Sequence, residues 1–148
     1  MEQQPDLGIN YIAILVATVA NFIFGFLWYT PLFGKAWAKE MGFVVDRKPT
    51  PGELGKGMTL MVIGNFLMAY VFAHNNAAWS FVPGMNIEAI GPAATIGQAA
   101  VFTWLGFYVP TDLSVVAWEN KSWKLFFINT MYHLGTLIIA ATILVMMS

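Results

Sequence analysis

The feature that most constrains this chain is the apolar run from Ile9 to Tyr29. Asn10, Thr18 and Asn21 are its polar breaks, and no residue in it is charged. A helix rises about 1.5 Å per residue and a bilayer core is about 30 Å thick, so about 20 such residues cross it. The residues ahead of the run carry Glu2 and Asp6 and no base. A cleaved signal peptide needs a basic leading region and a shorter apolar core, so the run reads as a membrane span. Composition extends the argument to the whole chain. It is 58% hydrophobic and 10% charged, where soluble domains carry about 25% charged residues. A soluble fold of 148 residues has too little interior to hide that apolar surface, whereas lipid accepts it.

Three more spans follow. The predicted fold is all-α: a polytopic membrane protein with one integral membrane domain over 1–148. Its spans cover about 9–29, 56–78, 89–118 and 123–147, as two antiparallel hairpins. Residues 32–55 form the polar loop between spans one and two. Within it, Phe33, Trp37 and Met41 recur at every fourth position from Leu32 to Phe43, as in a short helix lying in the interface. Pro49-Thr50-Pro51-Gly52 breaks the chain before span two. Pro92 suits a first helical turn. Pro110 is expected to kink span three or end its regular part. The link Glu119 to Ser122 is tight.

Charge sets the expected orientation. Of the seven Lys and Arg, Lys35, Lys39, Arg47, Lys48 and Lys56 lie between spans one and two, and Lys121 and Lys124 lie around the link between spans three and four. The positive-inside rule makes that side cytoplasmic. The expected location is the cytoplasmic membrane of a prokaryote, with both termini outside and loops 32–55 and 119–122 inside. Trp28, Trp37, Trp118 and Trp123 are the expected anchors at the inner interface, and Trp79 is placed at the outer one. The net charge of −1 offers no basic field for nucleic acid. With no cysteine, disulfide frameworks, thiolate metal sites and cysteine nucleophiles are excluded.

Several segments together resemble a known family. They are Gly25 to Trp37, Gly64-Asn65-Phe66, Trp104 to Phe107 with Pro110-Thr111, and Trp123 to Phe126 with Asn129 and Tyr132. The chain resembles the bacterial membrane proteins grouped as domain of unknown function 1761, over nearly its whole length. The resemblance implies a small four-span prokaryotic membrane protein and carries no catalytic residue with it. A weaker likeness lies inside the chain, between Gly25–Pro31 and Gly106–Thr111. Duplicated hairpins about an axis along the membrane normal and chance likeness of apolar helices both account for it.

The polar residues inside the spans are the candidate site. Counting ~1.5 Å per residue from the inner boundary places Asn21 and Asn65 about 10 Å deep, Asn129 about 9 Å, Asp112 about 8 Å and His133 about 15 Å. Small and polar residues share faces: Ala13, Ala17, Asn21 and Gly25 on span one; Asn65, Ala69, Ala73 and Ala77 on span two; Asn129, His133, Thr136 and Ala140 on span four. Such faces are where membrane helices approach one another. Two readings stand. The amides are interhelical glue, or the layer is a polar cavity or pathway. Intramembrane ionisable groups favour the second, and a carboxylate near an imidazole could relay a proton or hold a cation. Against this, Asp112 lies close enough to the headgroups to be solvated there. No catalytic spacing and no metal-ligand cluster is apparent, and the sequence names no cofactor. The functional expectation is a bundle that binds or transports a small solute or ion. The alternative is a homo-oligomeric scaffold or accessory subunit without catalysis.

Overall fold

The computed structural model describes residues 6–44 and 46–148. All regular structure among them is helical, and four helices are long and apolar enough to cross a membrane. Helix α1 (Tyr11–Leu27) begins at Asn10, whose side chain accepts the Ala13 N–H at 3.1 Å. The same amide donates to the Met147 carbonyl at 2.7 Å, tying the start of the first long helix to the end of the last. After Leu27 the helix widens into a π turn, Trp28–Leu32. The Phe33 N–H closes it on the Trp28 carbonyl at 2.8 Å. Pro31 lies within this turn and has no N–H to sustain α-type bonding.

The expected interfacial segment forms α2 (Gly34–Met41). Gly42 ends it at φ +79°, where glycine meets no steric penalty. The Phe43 N–H then reaches back to the Ala38 carbonyl at 2.9 Å. Beyond it, α3 (Pro51–Trp79) starts five residues earlier than the apolar pattern suggests. The cause is a capping box. The Thr50 hydroxyl accepts the Glu53 N–H while the Glu53 carboxylate accepts the Thr50 N–H. Pro51 therefore opens a helix at its favoured first position instead of breaking the chain.

A short α4 (Ile87–Ile90) leads into α5 (Pro92–Thr103). A second π turn follows at Trp104–Tyr108, closed by the Val109 N–H on the Trp104 carbonyl, and α6 (Val109–Glu119) completes the third span. The interruption expected from Pro110 thus falls in the turn immediately before it. Asn120, in the left-handed region at φ +52°, ends α6, and the Ser122 hydroxyl caps α7 (Trp123–Met146). Two residues of opposite preference make the tight link.

Helix α1 packs along both α3 and α7, and α5 and α6 pack on α7. The buried core between them is mostly small: Ala13, Ala17, Ala69, Ala73, Ala100 and Ala140, with Ile14, Phe72 and Leu137 filling the gaps. Small residues let these backbones approach closely. Large apolar side chains such as Phe26, Leu67, Leu105 and Phe107 point outward, as lipid-facing residues do. The packing is not that of two hairpins related by an axis along the normal. Such an axis would pair α3 with α5 as intimately as α1 with α7, and α3 and α5 make little contact.

Candidate functional site

The polar residues of the spans fall into three groups around α7. The first joins α6 to α7. The His133 Nδ1–H donates to the Asp112 carboxylate at 2.9 Å. Asp112 is 7% exposed, and the Tyr108 ring lies over the imidazole with centroids 4.6 Å apart. A carboxylate so buried is tolerable only with a partner, and the imidazole supplies one from another span.

The second group joins the end of the first span to α7. The Tyr29 hydroxyl donates to the Asn129 side-chain oxygen at 2.9 Å, and the Trp28 indole N–H donates to the Ile128 carbonyl at 3.1 Å. Tyr132 packs edge-on against Tyr29 and stacks on Phe24. Across α7 the same grip is repeated from span three. The Trp104 indole N–H donates to the Thr130 carbonyl at 2.8 Å and to its hydroxyl at 3.0 Å. Ile128 and Thr130 are about 200° apart around the helix, so two tryptophans hold α7 from opposite sides.

The third group is Asn21, Asn65 and Thr136. Asn21 is fully buried, yet neither its amide nitrogen nor its oxygen has a hydrogen-bond partner among the described residues. Asn65, 8% exposed, likewise has an unpartnered amide nitrogen. The Thr136 hydroxyl bonds back to the His133 carbonyl. Helix register places these three at one level. A Cβ on Gly25 would collide with the side chains of Met61 and Tyr132, so one turn away Asn21 lies opposite Asn65 on α3 and Thr136 on α7. Asn21, Asn65, Asp112, Asn129 and His133 thus lie on α1, α3, α6 and α7, with the last two on α7. Direct bonds join Asp112 to His133 and Tyr29 to Asn129. No described hydrogen bond joins Asn21 or Asn65 to either pair.

The tryptophans expected as interface anchors differ in surroundings. Trp28 is half-buried and bonded to α7, and Trp37 packs edge-on against Tyr29. Trp118 and Trp123 are 85% and 57% exposed. Trp28, Tyr29 and Trp104 are contributors that depth counting passed over. The available signal was a tryptophan three or six residues ahead of a proline in spans one and three.

At the same end, Glu40 on α2 accepts the Ser122 hydroxyl and lies 3.8 Å from the Lys124 ammonium, so α2 is fastened to the start of α7. His74 bonds the Tyr70 carbonyl on its own helix at 2.8 Å. Among the described residues no three His, Asp or Glu side chains gather in a metal-binding group.

The family model described as protein of unknown function (DUF1761) matches residues 12–145. The chain belongs to this family. The match runs from α1 to the end of α7 and includes all three polar groups. Among curated proteins and solved structures, none matches the chain.

Proposed function

We propose that this member of the family binds and passes a small polar solute or ion through the polar layer of its helix bundle. The observation that carries this reading is Asn21. An amide buried without a hydrogen bond costs about 1–3 kcal/mol by protein mutational data, and native interiors rarely leave such groups unpaired. Asn21 leaves both ends of its amide free, and Asn65 adds a free donor at the same level. A bound polar species would satisfy them. The Asp112–His133 pair, joining α6 to α7, supplies an ionisable centre, of the kind that marks ion and proton paths within membranes.

In this reading the end bearing Lys35, Lys39, Lys121 and Lys124 faces the cytoplasm of a prokaryotic cell. Both termini then lie outside. A second reading, a homo-oligomeric scaffold, is favoured by α3. Its first turns are wholly exposed, and Gly57 and Gly64 have open space where a side chain would be. The two combine readily, because four spans leave little room for a private path and neighbouring copies could wall it.

Charge-displacement currents from proteoliposomes on a solid-supported membrane test the proposal. Concentration jumps of protons, sodium, potassium, ammonium and small neutral amino acids form the panel. The wild-type protein should respond to at least one of these. Asn21→Leu and Asp112→Asn should each lower that response at least tenfold while the protein still elutes as one species. A wild-type response equal to that of empty liposomes across the panel, or full activity in Asn21→Leu, would overturn it.

A further inference from the structure

At the end of the molecule opposite the basic loops, the cores of α3 and α5 stand apart. A cleft of about 620 Å³ lies between them, roofed by the 80–86 loop and α4 and backed by residues 7–10 ahead of α1 and by the end of α7. Its walls are amphipathic. Trp79, Met85 and Phe102 are apolar surfaces, while Asn76, Thr95 and Gln98 carry hydrogen-bonding groups. The Asn76 amide nitrogen is buried and has no described partner. The cleft lies on a different level from Asn21 and Asp112 and shares no lining residue with them.

The sign of the charge at this cleft is set by side chains. Helix ends contribute both signs: the C-termini of α3 and α7, and the N-termini of α1 and α5. Each is worth about half an elementary charge, so they cancel to first order. Among the described residues Glu88 is the one charged side chain in the lining, and Asp6 lines the adjoining hollow with His74. Every Lys and Arg lies near the other end of the spans. From Lys56 to Asn76 along α3 is about 30 Å, well beyond the screening length of about 8 Å at physiological salt.

We propose that this cleft is a second binding site, for an amphiphilic primary amine. The ammonium sits at the mouth beside Glu88, an acceptor on the ligand takes the free Asn76 N–H, and the apolar body lies between Trp79 and Phe102. An aromatic wall suits a cation as well as an apolar body. An anionic amphiphile is disfavoured, since no described base lines the cleft.

The test uses the full chain in phosphatidylcholine nanodiscs, with empty nanodiscs as background. The probe is a dansyl group on a five-carbon primary amine, whose fluorescence rises in an apolar site. The comparison probe carries a carboxylate in place of the amine. The amine probe should bind saturably. Glu88 is exposed, so Glu88→Gln should weaken it by a modest factor of about five, or about 1 kcal/mol at 1.4 kcal/mol per tenfold. Ala99→Trp should abolish binding by filling the cleft, and Gln98→Trp, at an exposed rim position, does so without burying a new ring in the core. Signal indistinguishable from empty nanodiscs, equal affinity for the carboxylate probe, or binding unchanged in both Glu88→Gln and Gln98→Trp would overturn the proposal.

Discussion

Replacing Asn21 with leucine separates a binding site from structural glue, because the two roles predict opposite signs. Asn21 is fully buried, and neither end of its amide has a described partner. If the amide is held for a ligand, the ligand-free protein bears its desolvation cost. Leucine has the same branched outline, no polar atom and a somewhat larger volume. Exchanging an unpaired buried polar group for an apolar one of similar shape is nearly neutral or stabilising. With about 1–3 kcal/mol as the cost of the orphaned amide, and part of that lost to imperfect fit of the branched side chain, a gain of about 1 kcal/mol is expected. The same variant should lose the charge-displacement response. The measurement is unfolding in mixed micelles at increasing sodium dodecyl sulfate fraction, beside the current assay. A loss of more than about 1 kcal/mol would refute the reasoning, since it would mean that the amide makes bonds that hold the helices together.

The Asp112–His133 pair yields to a double-mutant cycle with Asp112→Asn and His133→Gln. A charge-assisted bond contributes about 1.5–3 kcal/mol, whereas ordinary interhelical bonds in membranes average about 0.6. A coupling near 2 kcal/mol is expected and one at 0.6 would reduce the pair to glue. At Gly135 an added Cβ would lie 2.6 Å from the Phe24 ring, which Trp28 and Tyr132 hold in place. Gly135→Ala should cost about 1–3 kcal/mol, while Gly64→Ala, which meets nothing, should be neutral or stabilise by up to about 1 kcal/mol; equal effects in the same unfolding assay would count against the α1–α7 packing. A periplasm-active reporter fused after Ser148 should be active, and activity of a cytoplasm-specific reporter there instead would reverse the proposed orientation.

The spans were legible because apolar length is a one-dimensional signal. The small-residue faces were legible for a related reason. Ala13, Ala17, Asn21 and Gly25 repeat every fourth residue, and all four are buried. The helix of span two extends ahead of its apolar stretch because of the Thr50–Glu53 capping box, a signal carried by two residues whose bonds are reciprocal. Depth placed Asp112 and His133 near one layer but could not pair them. Pairing depends on how α6 and α7 are rotated about their axes, and the π turn at Trp104–Tyr108 alters that rotation just ahead of Asp112. Asn129 found its partner in Tyr29 for the same reason. Proline announces an interruption, but the shape of the interruption depends on the helix it packs against.

The two π turns and the polar layer belong to one arrangement. Each turn begins with a tryptophan whose carbonyl accepts the closing bond and whose indole reaches α7. The wider turn narrows the angle between successive side chains, so Trp28 and Tyr29, adjacent in sequence, both bond to α7. From the other side Trp104 and Asp112 do so as well. Every one of these bonds lands between Ile128 and His133, less than two turns of a single helix. That two interruptions converge on one stretch of α7, beside unpaired amides at the next level, fits the tendency of π turns to occur at functional sites. It also makes α7 the helix to which the first and third spans are both fastened.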